Sequence, residues 1–130
     1  MQEEVKRLNG LWLLSRQEDR DSSLTIQGLT EGLQLEQGKV REVRGIKGRV
    51  IGEGSSGSYK LDVSRNPKTI DVRWAEGGKK GVTQLGIYKL EGGALTISWG
   101  EEGDKERPRE FSRDKALIKY YTRIDQGKKE

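Results

Sequence analysis

The chain has 130 residues, a formal net charge of +4 at pH 7, and neither histidine nor cysteine. This length suits one domain, so we predict a single domain over residues 1–130, with its core at residues 8–124 and a polar tail at residues 125–130. The missing residue types exclude Ser-His-Asp triads, thiol chemistry and ordinary zinc sites. We therefore expect no enzyme activity, no metal and no cofactor.

Charge and hydropathy give a second set of expectations. The 25 basic residues are scattered among 21 acidic ones, which predicts a mixed surface rather than a polyelectrolyte. No apolar run approaches the ~18 residues of a membrane span. Residues 1–10 lack the apolar stretch of a signal peptide. We expect a soluble, cytoplasmic protein, with an exported mature form as the alternative.

The first predicted element is a short helix over residues 3–8. Val5, Leu8 and Trp12 follow near-helical spacing. A helix this short cannot form a layer of the fold, so we expect it to lie as a lid on the core.

The chain then divides at its 18 glycines into short segments of strand length. Irregular strand candidates are residues 11–15, 33–36 and 39–51. Residues 52–57 have Gly-x-Gly-x-x-Gly spacing, but a strand rather than a helix follows them, so a helix N-terminus that could bind a pyrophosphate is missing. We interpret residues 52–57 as a flexible hairpin loop.

Three later segments alternate apolar and polar residues cleanly, at residues 59–63, 70–74 and 95–99. Less regular strand candidates are residues 82–90, 107–111 and 117–124. Alternation places one face of each strand in the interior. The candidate residues for lining a ligand site there are Tyr59, Leu61, Val72, Trp74, Leu85, Ile87, Ile97 and Trp99.

About nine strands result, joined by tight turns such as Gln37-Gly38 and Glu91-Gly92-Gly93. This pattern predicts an all-β antiparallel domain and fits either a barrel or a sandwich. A barrel is favoured because closure removes sheet edges, which only two prolines are present to protect. The predicted fold is an up-and-down β-barrel of about eight to nine strands with a short N-terminal helix.

Several motifs in a fixed order indicate a family. Gly10-Leu11-Trp12, at the entry to the first strand, resembles the Gly-x-Trp signature of lipocalin-type barrels. The later motifs are similar, in their order, to those of an uncharacterised lipocalin-like domain family abundant in planctomycete bacteria. They are Gly57-Ser58-Tyr59-Lys60-Leu61-Asp62, Asn66-Pro67-Lys68-Thr69-Ile70-Asp71, Gly86-Ile87-Tyr88-Lys89-Leu90, Arg107-Pro108-Arg109-Glu110-Phe111 and a last strand ending in Arg123. The resemblance implies a bacterial lipocalin-like barrel and carries no activity.

The resemblance also implies structural roles for particular residues. In lipocalins a basic side chain from the last strand packs over the tryptophan of the first, which makes Arg123 the candidate to cover Trp12 and Lys119 its competitor. Gly10 would let the first strand bend beneath the core. We assign structural roles to Gly10, Trp12, Arg107, Pro108, Phe111 and Arg123.

Two charged features point to other functions. Residues 39–49 hold five cations, namely Lys39, Arg41, Arg44, Lys47 and Arg49. This segment lacks the aromatic residues that stack on bases, so nucleic acid binding is disfavoured. A carboxylate enzyme would need Asp62, Asp71 or Glu110 in a cleft, with a pKa raised by burial.

The leading hypothesis is a noncatalytic binding module whose barrel holds a small apolar or amphipathic molecule. A barrel of this size is either filled by its side chains or leaves space for one small ligand. The alternative is a closed barrel that presents charged hairpins to a protein partner, because a 31% share of hydrophobic residues could be used up by packing alone. The sequence predicts neither the oligomeric state nor the identity of a ligand.

Overall fold

The structure, a computed structural model, describes residues 2–21, 23–25, 29–46, 49–101, 103, 106–112 and 115–124. Within these residues one helix, α1 (Gln2–Leu8), precedes nine strands. The strands are β1 (Gly10–Glu18), β2 (Ser23–Thr25), β3 (Leu29–Glu36), β4 (Lys39–Ile46), β5 (Arg49–Asp62), β6 (Lys68–Glu76), β7 (Thr83–Glu91), β8 (Ala94–Trp99) and β9 (Leu117–Ile124). None of the described helical segments is long and apolar enough to cross a membrane.

Eight of the described strands close into an antiparallel barrel. Strands β3 to β9 pair with their neighbours in sequence, and β1 completes the ring by pairing with β3 on one edge and with β9 on the other. The three-residue β2 continues the edge of β1 that carries β3. The predicted up-and-down barrel with a short N-terminal helix is confirmed.

Alternation along the strands fills the barrel with apolar side chains. In β6, Ile70, Val72 and Trp74 are at most 2% exposed, whereas Arg73 between them is exposed. Removing such side chains from water is the main force that holds the strands together. The connected core comprises Leu8, Trp12, Leu14, Leu33, Leu35, Val40, Tyr59, Leu61, Ile70, Val72, Trp74, Tyr88, Leu95, Ile97, Trp99 and Tyr121.

Helix α1 closes one end of the barrel. Leu8 is fully buried in the core, and Val5 packs against the same cluster. The Trp12 Nε1–H donates to the Leu8 carbonyl at 2.8 Å, and Arg123 Nη1, near the end of β9, donates to the Asn9 carbonyl at 2.8 Å. These bonds satisfy carbonyls that a helix leaves free at its C-terminus, so the helix is fixed as a lid.

A buried carboxylate also ties α1 to the barrel. Glu4 Oε2 accepts hydrogen bonds from the Tyr88 hydroxyl at 2.8 Å and from Lys68 Nζ at 3.0 Å. Burial acts to raise the pKa of Glu4, but these hydrogen bonds and the charges of Lys68 and Arg7 outweigh burial and lower the pKa. Glu4 is therefore held ionised in the folded protein.

Replacing this carboxylate should make stability less dependent on pH. Glu4→Gln is expected to cost about 2 kcal/mol at neutral pH, because a charged hydrogen-bond acceptor is lost from a buried site. The stabilisation from Glu4 is complete above the ordinary pKa of 4.5 and is lost as the pH falls through the lowered folded-state pKa. Urea unfolding at a series of pH values should show a difference from the parent that narrows below pH 4.5.

Glu3→Gln is the matched control, since Glu3 is exposed on the same helix. This variant should follow the parent at every pH. A Glu4→Gln deficit that stays constant below pH 4.5 would contradict the ionised state of Glu4.

Three predicted elements are corrected. Residues 39–51 belong to two strands, because β4 ends at Ile46 and β5 begins at Arg49. Residues 52–57 are not a hairpin loop but part of β5, where β-bulges opposite β4 and β6 accommodate them. Residues 107–111 form no strand, because Pro108 has no N–H to donate to a sheet and the segment lies against the outside of the barrel. The predicted tail at residues 125–130 lies outside the described residues.

Candidate functional site

A cavity of about 380 Å³ occupies the end of the barrel opposite α1. Leu117, the first residue of β9, lines it, whereas Arg123, near the other end of β9, contacts the helix end. Strands β3 to β9 all contribute to its wall. The lining residues are Glu31, Gly32, Leu33, Glu42, Val43, Arg44, Gly54, Trp74, Lys79, Gln84, Trp99, Leu117, Lys119 and Tyr121.

Three aromatic side chains form much of the apolar wall, and hydrogen bonds fix their orientation. The Trp74 Nε1–H donates to Gln84 Oε1 at 3.3 Å, and Gln84 Nε2 donates in turn to the Gly100 carbonyl at 3.1 Å. Trp99 forms a side-chain hydrogen bond with Tyr121. Because all three side chains are nearly buried, each presents only a narrow part of its ring to the cavity.

Tyr121 adds a hydrogen-bond donor to this wall. Burial raises the pKa of Tyr121, although its hydrogen bond with Trp99 acts in the opposite direction. The phenol is therefore protonated at neutral pH. A protonated phenol can donate a hydrogen bond.

Two ion pairs lie in the cavity wall. Lys79 Nζ lies 2.6 Å from Glu42 Oε2, and Lys119 Nζ lies 2.8 Å from Glu31 Oε2. Lys79 Nζ also lies over the Trp74 ring, 5.1 Å from its centroid. The cavity thus combines aromatic surfaces with both signs of charge, which is the chemistry that an amphipathic molecule requires.

The predicted lining residues divide into two groups. Trp74 and Trp99 line the cavity. Four others fill the barrel interior as packed core and do not border the cavity, namely Tyr59, Leu61, Val72 and Ile97. The interior is therefore filled along part of its length and hollow at one end.

The assignment of Leu85 and Ile87 to the lining is corrected. The register pairs Gly86 of β7 with Ile70, which faces the core, so Leu85 and Ile87 point to the outside of the barrel. Both faces of β7 carry apolar residues, and alternation therefore could not select the inner one. Ile87 is only 1% exposed because residues 106–109 lie against it from outside.

The predicted structural pair lies at the closed end. The Arg123 guanidinium carbon is 4.4 Å from the centroid of the fully buried Trp12 ring. Gly10 has φ of +139°, and a Cβ there would lie 3.2 Å from Arg123 Nη1, so a glycine suits both the backbone and the guanidinium. Lys119, the competing candidate, instead lies in the cavity beside Glu31.

The remaining predicted structural residues hold residues 106–112 against the outside of the barrel. Arg107 Nη1 donates to the Gly86 carbonyl at 3.0 Å and forms an ion pair with Asp71 at 2.7 Å. Pro108 follows along the same outer groove. Lys89 Nζ lies 5.3 Å from the centroid of the Phe111 ring. This segment covers part of β6 and β7 without adding a strand.

The carboxylates considered for acid–base chemistry are not buried together. The side chains of Asp62 and Asp71 are both 45% exposed, and that of Glu110 is 60% exposed. Hydrogen bonds from Ser64 lower the pKa of Asp62, which is opposite to the shift that a general acid needs. Among the described residues, no group of three or more acidic side chains is placed to hold a metal ion.

The described cations of the basic segment do not share one face of the barrel wall. Lys39 and Arg41 alternate with the buried Val40, so both face outwards from β4. Arg44, paired in register with Glu31, is exposed at the open end of the barrel and lines the cavity. Arg49 begins β5, and Lys47 lies outside the described residues.

The charged residues of the cavity were not predicted as a site. The last strand carried one usable signal, because Leu117, Lys119 and Tyr121 are spaced by two and therefore share a face. Their partners could not be found in this way. Lys119 and Glu31 are 88 residues apart in sequence, and the closure of the barrel brings them together.

The fold and the cavity define a closed antiparallel barrel with an aromatic and charged pocket at one end. Comparison with models of known protein families gives no match for the chain, and comparison with curated proteins gives none either. The resemblance to the lipocalin-like family therefore stays a prediction from the sequence motifs.

Proposed function

We propose that this protein is a noncatalytic binding module that holds a small amphipathic molecule in the cavity opposite α1. The single observation that carries the proposal is the cavity of about 380 Å³ inside an otherwise packed barrel. Its volume lies near the lower end of the range of about 300 to 1,000 Å³ for ligand pockets. The ligand is accordingly a compact molecule rather than a long chain.

The composition of the wall supports an amphipathic rather than a purely apolar ligand. Leu33 and the indole rings of Trp74 and Trp99 offer apolar contact, while the Glu42–Lys79 and Glu31–Lys119 pairs offer charge. Small-molecule sites combine apolar walls with a few placed polar groups, and the exposed lining of this cavity is more polar than apolar. A binding role needs no catalytic group, which agrees with a chain that has no histidine or cysteine.

We place the protein with the lipocalin-like family as part of the same proposal. The motif residues Gly10 and Trp12 begin β1, and Arg123 covers the Trp12 ring near the end of β9. This arrangement supports the resemblance because the motif residues come together at the closed end of the barrel. The opposite end of the barrel is therefore left for a ligand.

Native mass spectrometry tests the proposal directly. Protein purified without detergent should carry a discrete adduct under gentle ionisation, and the adduct should be lost on activation. Unfolded and refolded protein should lose this adduct and regain it from an extract of the producing cells. Recovery of the bare chain in both preparations would contradict a resident ligand.

A variant that fills the cavity should abolish the adduct. Leu117 is half-buried in the cavity wall, and Leu117→Trp places a larger ring in the ligand's space. Binding should fall by about tenfold or more, because the added ring occupies space that the ligand needs and the close-packed side chains around the cavity cannot move aside. Thr122→Trp, on the exposed face of the same strand, is the matched control and should leave the adduct in place.

Thermal unfolding of both variants separates this effect from a loss of folding. If the Leu117→Trp protein is folded and still carries the full amount of adduct, the ligand lies elsewhere and the cavity is not the binding site.

A further inference from the structure

An open groove borders the cavity at the rim of the barrel. It has a volume of about 880 Å³, lies beside residues 106–110, and includes the apolar residues Pro108 and Ala116 in its described lining. We call it the rim groove. The residues shared by the described walls of the cavity and the rim groove are Gln84, Trp99 and Leu117. A side chain that borders two spaces lies between them, so these three side chains form a partition.

The order of residues along the chain places the partition at the ends of β8 and β9. Trp99, the last residue of β8, borders both spaces, and Gly100, which follows it, borders the rim groove. At the start of β9 the lining changes in the opposite order. Ala116 borders the rim groove, Leu117 borders both spaces, and Lys119 borders the cavity. At these strand ends the two spaces are therefore separated by one layer of side chains.

Gln84 connects the two sides of the partition through hydrogen bonds. Its Oε1 accepts from the Trp74 Nε1–H at 3.3 Å, and its Nε2 donates to the Gly100 carbonyl at 3.1 Å. Trp74 lines the cavity, whereas Gly100 lines the rim groove. Because both ends of the carboxamide are bonded, rotation of this side chain out of the partition costs hydrogen bonds.

The backbone beside the partition is fixed as well. The Gly100 N–H donates to the Leu85 carbonyl at 2.7 Å, and the Gly103 N–H donates to the Thr83 carbonyl at 3.0 Å. A Cβ added at Gly100 would lie only 3.0 Å from the carbonyl oxygens of Leu85 and Glu106, so the segments pack closely here. The strand ends cannot separate without breaking these contacts. Side chains therefore decide whether a bound molecule reaches from the cavity into the rim groove.

We infer that Gln84 and Leu117 make the cavity selective for compact molecules, because they keep the apolar chain of a longer amphipathic molecule out of the rim groove. The inference rests on the proposed function and adds the residues that limit the size of the ligand. An apolar chain that cannot enter the groove stays in water and adds nothing to the affinity. Truncation of either side chain joins the two spaces, and the apolar chain then gains contacts along the groove.

Two fluorescent probes of different length test the inference. Prodan and laurdan share a dimethylaminonaphthalene ketone and differ only in the acyl group, which is propionyl in prodan and lauroyl in laurdan. Their affinities for the intact protein are measured from the blue shift of emission that both probes show on leaving water. The parent protein should bind laurdan no more tightly than prodan, because the longer acyl group finds no further contacts.

Opening the partition should change the ratio of the two affinities. In Gln84→Ala and, independently, in Leu117→Ala, the affinity for laurdan relative to prodan should rise about tenfold above that of the parent, which is the gain from burying roughly two methylene groups. Thr83→Ala is the matched control, since Thr83 is exposed beside Gln84 on β7, and should leave the ratio unchanged. Adding Ala116→Trp to Gln84→Ala fills the rim groove and should cancel the gain.

The outcomes separate the two proposals, once thermal unfolding has shown that each variant is folded. If prodan binds but neither truncation raises the ratio, the partition does not limit the ligand and the binding function stands. The same conclusion follows if the parent already binds laurdan more tightly than prodan, or if Ala116→Trp leaves the gain in place. If neither probe binds the parent or either truncated variant, the cavity is not a ligand site and both proposals fail.

Discussion

Gly57→Ala should destabilise the protein by about 3 kcal/mol, because the added methyl group has no space. A Cβ at Gly57 would lie 2.0 Å from the Arg73 carbonyl oxygen and 2.9 Å from the Trp74 Cα, both in the backbone of the neighbouring strand β6. Backbone atoms cannot turn away as the end of a flexible side chain can. The β5–β6 ladder must therefore separate at this point, next to the bulge between Ser56 and Gly57.

The same strand provides a matched control. Among the described residues, no heavy atom lies within 4 Å of the position of a Cβ added at Gly52, and the Gly52 backbone does not require a glycine. Gly52→Ala should stabilise the protein by about 0.5 to 1 kcal/mol, since glycine loses more conformational freedom on folding. Guanidinium unfolding followed by tryptophan fluorescence measures both variants, and equal effects of the two substitutions would contradict the close approach of β5 to β6.

Residues 52–57 also show where inference from the sequence fails. From the sequence alone, the glycine spacing indicates a hairpin loop, because glycines often mark turns. Here the absence of a side chain at Gly57 allows the backbones of β5 and β6 to approach closely at a bulge inside β5. That requirement depends on which strand is the neighbour, and the local sequence does not contain this information.

The fold itself was largely predictable because each of several strands has one face exposed to solvent and one face buried in the core. Ile70, Val72 and Trp74 alternate with polar residues, and the structure places all three in the core. In β7 the same reasoning selected the wrong face. Leu85 and Ile87 are apolar but point outwards, and Ile87 is covered by residues 106–109.

The cavity was less predictable than the fold. Trp74 and Trp99 could be found because each ends an alternating segment. The ion pairs could not be predicted from the sequence. A lysine or glutamate in a strand gives the same local pattern of polar and apolar residues whether it faces solvent or a partner across the barrel. Only the register of β1 with β3 and with β9 determines that Glu31 and Lys119 meet.

Trp12→Ala should be the most destabilising single substitution considered, at about 4 kcal/mol. Trp12 is fully buried, stacks beneath Arg123 and donates to the Leu8 carbonyl at 2.8 Å. Truncation leaves a void in the packed end of the barrel and an unbonded carbonyl at the end of α1. The loss therefore includes apolar transfer, a cavity and a broken hydrogen bond.

Trp99→Ala is the informative comparison because the same change is made at the hollow end. Trp99 is 7% exposed and borders the existing cavity, so fewer contacts are lost and the expected cost is about 2 kcal/mol. Urea unfolding followed by circular dichroism measures both variants without depending on the tryptophan that is removed. A cost for Trp99→Ala equal to that for Trp12→Ala would mean that both ends of the barrel are packed alike, which would remove the space on which the binding function depends.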